Sequence, residues 1–202
     1  MTEKDSCQSD DQKNRLVVGI SGASGVILGI RLLEKLRNME TETHLIISPS
    51  AKTTIHQETD WKINDVLALA DVTYTFSDTG AAIASGSFTT QGMVVIPCSI
   101  KSLSAIANSY SDNLLARAAD VTLKEGRPLV LVVREAPYHI GHIRLMQMAA
   151  EAGAVIFPPV PAFYSRPETI DQMIDNTVGR VLARLGIENN FYVRWKDQSH
   201  QG

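Results

Sequence analysis

A glycine- and serine-rich loop near the amino terminus has the composition of an anion-binding site. A short apolar run leads into Gly19, Ser21, Gly22, Ser24 and Gly25. Glycine lets backbone approach a ligand closely, and the first N–H groups of a following helix would face an anion. The spacing Gly-x-x-Gly-x-x-Gly is neither the dinucleotide fingerprint nor a P-loop. We therefore predict a phosphate-binding loop of another kind; a glycine turn that only packs a helix on a sheet is the alternative.

Three other segments carry a carboxylate, small polar residues and a thiol. Glu58 follows the predicted helix 49–57, either as a solvated charge or as a carboxylate that transfers protons above the first loop. The segment 84–87, Ala-Ser-Gly-Ser, is either a plain turn or a place where backbone approaches a phosphate or a ring. Cys98 is interpreted as a packed small side chain and not as a nucleophile, because no histidine is expected beside it.

Basic side chains in the second half of the chain could bind a doubly charged phosphate. Arg117 and Lys124 fall on one face of the predicted helix 112–125, about 10 Å apart along its axis. Arg134 directly follows the last core strand, so we expect three cations within reach of one strand end. Arg180 could add to them. The alternative is that these cations pair with nearby acids or stabilise a helix carboxyl end.

The histidines give little support for a metal site or a nucleophilic triad. His139 and His142 are spaced i,i+3 but have no third ligand nearby, and no Ser–His–Asp order is recognisable. We predict surface positions for His44, His56, His139 and His200, and we expect no metal.

The predicted elements alternate between strands and helices. The predicted strands are 16–20, 43–47, 72–75, 93–96, 129–133 and 154–157. The predicted helices are 26–38, 49–57, 63–70, 101–108, 112–125, 141–152 and 167–185. This alternation predicts an α/β fold with a parallel sheet and helices on both faces, whose ligands bind beyond the carboxyl ends of the strands. Pro97 is expected to end the central strand.

The composition is that of an ordinary globular chain. With 202 residues, 44% hydrophobic and 20% charged, and a net charge of −3, it predicts one core and argues against a nucleic-acid surface. Residues 1–14 are predicted to be a disordered polar leader, 15–196 a single domain and 197–202 a tail. No apolar run approaches the ~18 residues of a membrane span, and two cysteines suit a reducing compartment. We expect a cytoplasmic protein that binds neither nucleic acid nor membrane.

The motifs together resemble those of the flavin prenyltransferases, or UbiX-type proteins, and especially the B subunits that accompany aromatic-acid decarboxylases. The matching segments are GASG, HQET, ASGS, PCS, NLLARAADVTLKEGRPLVLVVREAP, PPVPAFYSRP and a terminal RW. The resemblance covers residues 15–196. It implies a flavoprotein domain of three-layer Rossmann (flavodoxin-like) architecture, assembled as a homododecamer with its sites at subunit junctions. It also implies that reduced FMN and dimethylallyl phosphate are joined to give prenylated FMN for a UbiD-type decarboxylase.

The resemblance also implies roles for individual residues. FMN contacts are implied for Gly22, Ala23, Ser24, Ser48, Ser99 and Arg134. Prenyl-phosphate contacts are implied for Ser85, Gly86, Arg117, Lys124, Tyr164 and Arg180, with Trp195 beside the prenyl chain. Catalytic groups are implied at Ser24, Glu58 and Glu135.

Those residue types suit the implied reaction. Departure of a phosphate from an allyl group needs cations that stabilise the developing charge and a proton donor, here Glu135. The proton that the flavin ring loses could pass through Ser24 to Glu58. Trp195 would stabilise an allylic cation by a cation–π contact of about 1–2 kcal/mol.

One segment departs from the family pattern and keeps two alternatives open. The family usually has an acid and an amide where this chain has Arg144 and Leu145, whereas His142 and Met146 keep register. The difference could alter subunit contacts or the surroundings of Glu135. One alternative is an FMN-binding accessory subunit without catalysis. The other is a flavin-dependent cysteine-type decarboxylase, against which HQET and ASGS argue, because that group has a histidine and an asparagine-containing loop at those places.

Overall fold

The centre of the fold is a six-stranded sheet. In a computed structural model, which describes residues 14–195, the strands are β1 (Arg15–Ile20), β2 (Glu42–Ile47), β3 (Val72–Tyr74), β4 (Gly92–Cys98), β5 (Leu129–Val133) and β6 (Val155–Ile156). Their order is β3-β2-β1-β4-β5-β6, and every pairing is parallel. This is the strand order of the Rossmann fold, so the predicted α/β architecture is confirmed.

Helices cover both faces of the sheet. They are α1 (Ile27–Leu36), α2 (Pro49–Glu58), α3 (Ile63–Leu67), α4 (Ile100–Ala107), α5 (Leu114–Lys124), α6 (Ile140–Glu151) and α7 (Ile170–Arg184). Between residues 14 and 195, no helix has the length and apolar character needed to cross a membrane. Of the predicted leader the structure describes only Asn14, and the tail 197–202 lies outside the described residues.

The core consists of two apolar layers, one on each face of the sheet. Along β1, Leu16 and Val18 contact the layer formed with α1 and α7, whereas Val17 contacts the layer formed with α4 and α5. This period of two is the geometry of a strand covered on both faces. Helix α1 packs very closely on the sheet, because a side chain at Gly29 would overlap the carbonyl oxygen of Ile96.

Two sequence predictions about the sheet are wrong. Strand β4 does not end at Pro97 but continues to Cys98. Its register with β5 shifts between Val95 and Cys98, so the missing N–H of proline falls where the ladder is already irregular.

His44, predicted at the surface, is also misplaced: only 2% of it is exposed. It points inward from β2 with both ring nitrogens satisfied, Nε2 lying 3.0 Å from Glu42 Oε1 and Nδ1 3.0 Å from the Tyr74 hydroxyl. A polar side chain with two such partners can occupy an interior position of a strand. His56 and His139 are exposed, as predicted.

Candidate functional site

A cavity of about 760 Å³ opens beyond the carboxyl ends of the central strands. Its volume lies within the range of about 300–1,000 Å³ that is usual for ligand and cofactor pockets. Its lining includes Ser48 after β2, Ser99 after β4 and Asn113 before α5. These elements surround the point where β1 and β4, which are not consecutive, lie side by side, the place where such sheets bind ligands.

Three helices begin at this cavity, each with a capped amino terminus. The Ser48 hydroxyl accepts a hydrogen bond from Ala51 N–H (3.1 Å) at the start of α2. Ser99 caps α4 and Asn113 caps α5 in the same way, at 3.2 and 3.0 Å. The amino ends of helices carry partial positive charge, so the cavity favours an anionic group such as a phosphate.

The glycine loop lies beside this cavity. Ser21 is 1% exposed; its hydroxyl donates to the Pro97 carbonyl (2.9 Å) and accepts from Ser99 N–H (2.7 Å). Ser21 therefore ties the ends of β1 and β4 together and is not free to bind a ligand. A side chain at Gly22 would overlap Ser50, which lines the cavity. The loop Gly22–Ser24 thus borders the cavity through the first turn of α2.

A carboxylate from α2 reaches the same loop. Oε2 of Glu58 accepts a hydrogen bond from Gly25 N–H at 2.8 Å. Gly25 directly follows Ser24 in the sequence. Gly25 has φ +92°, a conformation that favours glycine. Glu58 is the last residue of α2, whereas the sequence predicted a helix that ends one residue earlier. The carboxylate of Glu58 is therefore held at the residue that follows Ser24, the other predicted member of the proton relay.

Arg134 and Glu135 leave the carboxyl end of β5 at the same edge of the sheet. The N–H of Arg134 donates to the Cys98 carbonyl at 3.0 Å, directly before Ser99. Glu135 is partly exposed, and its Oε1 accepts a hydrogen bond from Ala136 N–H at 2.9 Å.

Cys98 itself is fully buried, and burial raises the pKa of its thiol to about 12. The prediction that Cys98 is a packed residue is confirmed.

A second group of predicted residues, the α5 cluster of Ser85, Gly86, Arg117 and Lys124, forms where the loop before β4 runs along α5. Nε of Arg117 donates to the Ala84 carbonyl at 3.2 Å. A Cβ on Gly86 would lie 2.9 Å from Lys124 Nζ. The structure thus brings these four residues into one neighbourhood.

Arg127, which was not among the predicted site residues, holds this loop in place. Its guanidinium donates to the carbonyl oxygens of Gly86 and Phe88 at 2.7 and 2.8 Å. Lys101 and Ser102, which line the cavity at the start of α4, were not predicted either. Ser99 carried a usable signal, because serine is a preferred capping residue at a helix start and the first turn after it would then face the cavity.

The prediction of three cations at one strand end is wrong. Helix α5 begins at the cavity and its chain returns to the amino end of β5, so Lys124 lies near the amino ends of the strands and Arg134 near the carboxyl ends. Eleven helical residues span about 16 Å. Arg117 also pairs with Asp120 (3.0 Å) and Lys124 with Glu125, so the alternative of pairing with nearby acids is what the structure shows.

The remaining predicted residues lie elsewhere in the chain. The rings of Tyr164 and Trp195 meet edge to face with centroids 5.3 Å apart, and the Tyr164 hydroxyl donates to the Val193 carbonyl. Arg180 is on α7, on the opposite face of the sheet from α5, with its guanidinium 5.5 Å from the centre of the Phe157 ring. One chain therefore does not gather the whole predicted prenyl-phosphate set at its cavity.

The segment that departs from the family pattern forms the start of α6. Leu145 and Met146 pack against the apolar layer of α4 and α5, while Arg144 faces outward. Leu145 thus adds to the core at a position where the resemblance implied a polar residue. Tyr138, Ile140 and Ile143 leave an exposed apolar surface on the same segment.

In the described part of the chain, no three His, Cys, Asp or Glu side chains converge in a way that would hold a metal ion.

Comparisons with known proteins agree with this architecture. The Flavoprotein family model matches residues 4–180. The flavin prenyltransferase UbiX of Escherichia coli (strain K12) is 58% identical over 185 residues, covering 90% of this chain and 98% of that protein.

Two solved structures are also similar over nearly their whole lengths. AnUbiX (PadA1), crystallised in complex with FMN and dimethylallyl pyrophosphate, has a TM-score of 0.91 and 46% identity, covering 93% of this chain and 100% of that one. A dodecameric FMN-dependent UbiX-like decarboxylase from Escherichia coli O157:H7 has a TM-score of 0.88 and 49% identity, covering 90% and 99%. Given its match to the family model and its identity to the curated relative, this chain belongs to the Flavoprotein family and, within it, to the UbiX-type proteins.

Proposed function

We propose that this protein is a flavin prenyltransferase that joins the dimethylallyl group of dimethylallyl phosphate to reduced FMN. The observation that carries the proposal is the cofactor-sized cavity at the β1–β4 junction, with helix amino termini around it and Glu58 on the adjoining loop. The 58% identity to a named flavin prenyltransferase favours this function over the cysteine-type decarboxylase alternative.

The residues around the cavity fit FMN. Its phosphate would lie among the helix amino termini capped by Ser48, Ser99 and Asn113, where N–H groups and the helix dipoles favour an anion. The flavin ring would lie against the loop Gly22–Ser24 and near Arg134. Bound in the reduced state, FMN supplies the electron-rich ring that accepts the allyl group.

Two carboxylates would handle the protons of this reaction. Glu135, at the end of β5, would donate a proton to the departing phosphate. Glu58, held by Gly25 N–H, would take up the proton that the flavin ring loses, through the Ser24 hydroxyl.

The prenyl phosphate would be bound between two copies of the chain. Lys124 lies about one helix length from the cavity of its own chain, so its ammonium group would serve the cavity of a neighbouring copy. Contact between copies would also let Arg180, Tyr164 and Trp195 reach this site, although Arg180 lies on the face of the sheet opposite α5. A dodecamer such as that of the E. coli relative would provide such junctions.

We further propose that a UbiD-type decarboxylase receives the product and that the protein acts in the cytoplasm. The cytoplasm is a reducing compartment, which suits the unpaired Cys98 and would suit the reduced FMN of the proposed reaction.

The mass of the flavin after reaction tests the proposed function. The purified protein, reduced FMN and dimethylallyl phosphate are incubated without oxygen, and the flavin is extracted and weighed by mass spectrometry. We expect a product heavier by one C5H8 unit, and a parallel reaction with the pyrophosphate shows which leaving group is preferred. A flavin that binds but keeps its mass with both donors would contradict the proposal and favour a non-catalytic FMN-binding subunit.

A further inference from the structure

Lys124, the proposed phosphate group at the end of α5, is paired with the next residue in the chain. Its Nζ contacts the Oε1 of Glu125, and the pair lies directly over Gly86. A Cβ on Gly86 would overlap the Glu125 carboxylate and would lie 2.9 Å from the lysine nitrogen. The space above this glycine, where an incoming phosphate would meet Lys124, is therefore occupied by a carboxylate of the protein itself.

The loop below this ion pair is held independently of it. Arg127 binds the carbonyl oxygens of Gly86 and Phe88, and Arg117 binds that of Ala84. The loop would therefore keep its path if the Lys124–Glu125 contact opened.

The ion pair itself can exchange partners. The side chains of Lys124 and Glu125 are 48% and 33% exposed, and water-exposed ion pairs are weak. The hydrogen bond from Lys124 lowers the pKa of Glu125, so its carboxylate is charged at neutral pH. A phosphate carries more negative charge than a single carboxylate and can replace it at the ammonium group.

We propose that Glu125 is a resident counter-ion that holds Lys124 over Gly86 in the free protein and is displaced by the phosphate of the substrate. This inference rests on the proposed function, because it takes Lys124 as a phosphate-binding group. Glu125 then acts on substrate through Lys124 and is a positioning residue. Its competition weakens the binding of any anion at this place and selects for groups with two negative charges.

Titration with inorganic phosphate tests the inference without requiring catalysis. The full-length protein is first saturated with FMN, so that the cavity is filled, and phosphate binding is then measured by calorimetry. Glu125→Gln removes the competing charge and keeps the size of the side chain. We expect it to bind phosphate about two- to fivefold more tightly than the wild type, the coupling usual for an exposed ion pair.

A double-mutant comparison shows whether the effect passes through Lys124. In a Lys124→Ala background, Glu125→Gln should change phosphate affinity no further. Glu125→Asp, which retains the carboxylate, should return the affinity toward the wild-type value. In turnover, Glu125→Gln should lower the KM for dimethylallyl phosphate and leave kcat unchanged, because the lost competition concerns binding alone.

The matched control is Glu151→Gln on α6, which makes the same change of charge at an exposed glutamate bonded to Gln147. It should leave phosphate affinity unchanged. The inference is overturned if Glu125→Gln binds phosphate no more tightly than wild type, if Glu151→Gln has the same effect, or if Lys124→Ala leaves phosphate binding intact. A failure of the proposed function would appear instead as an unaltered flavin mass, whatever the phosphate titrations give.

Discussion

Each of the two proposed acid–base carboxylates accepts a hydrogen bond from a backbone N–H group. Glu58 accepts from Gly25 at 2.8 Å, and Glu135 accepts from Ala136 at 2.9 Å. A glutamine at either position keeps an oxygen that can accept this bond, but it cannot transfer a proton at neutral pH. Glutamine variants therefore separate the contribution of each side chain to local structure from its contribution to proton transfer.

Glu135→Gln is expected to bind FMN as the wild type does and to lose prenyl transfer by about 10²-fold or more, the usual contribution of a proton donor. FMN affinity is measured by titration of flavin fluorescence and turnover by the yield of prenylated flavin. Glu151→Gln, remote in sequence and exposed on α6, serves as the control. Normal turnover in Glu135→Gln would mean that another group protonates the leaving phosphate.

The buried ring of His44 leads to a prediction about how the free energy of unfolding changes with pH. Burial lowers the pKa of His44 from its ordinary 6.5, although Glu42 opposes this shift. The unfolded chain therefore takes up a proton at a higher pH than the folded one, and stability decreases as the pH falls below about 6.5, by at most about 1.4 kcal/mol per pH unit.

Urea unfolding between pH 7.5 and 5.5 measures this effect. In His44→Gln the decrease over this range should be smaller than in the wild type, whereas His56→Gln, at an exposed position on α2, should retain it. Equal slopes in the wild type and His44→Gln would show that other groups cause the acid sensitivity. Asp71 and Asp175 also have lowered pKa values, but their contributions are lost only at more acidic pH.

At the scale of elements, the sequence predicted the six strands of the sheet but not where every strand ends. Strand β5 (Leu129–Val133) has the predicted bounds because it is an uninterrupted apolar run followed by charged residues. The sequence could not predict that β4 continues through Pro97, because this depends on the register with its neighbour. Nor could it predict that His44 is buried, since its partners Glu42 and Tyr74 become evident only once the strands pair.

The close packing of α1 on β4 leads to a prediction about stability. Gly29→Ala should lower the free energy of unfolding by about 1–3 kcal/mol, because the added methyl group overlaps a backbone carbonyl that cannot move easily. Alanine is otherwise the better helix former, so the direction of the change is diagnostic. Gly141→Ala on α6 serves as a comparison: its methyl group would meet the His139 ring, which caps this helix, and no backbone atom, so a loss of stability there would come from the cap. A stabilising effect of Gly29→Ala would contradict this packing.

At the scale of the whole molecule, the proposed FMN cavity and Lys124 lie toward opposite ends of the sheet. Sequence spacing correctly put Arg117 and Lys124 on one face of α5, but it did not show which end of the helix meets the cavity. That depends on α5 running back toward the amino ends of the strands, a property of the assembled sheet. A single chain therefore has the parts of the proposed site but not their proximity, and under the proposal a second copy completes it.

Complementation between inactive variants tests this shared site most directly. Glu58→Gln and Lys124→Ala are each expected to lose prenyl transfer. The two chains are co-expressed with different tags, so that only mixed oligomers are purified, and the yield of prenylated flavin is measured against each variant alone. If the site is shared, about a quarter of the junctions combine both intact residues and restore a matching share of wild-type activity. Mixed oligomers no more active than either variant alone would contradict the account.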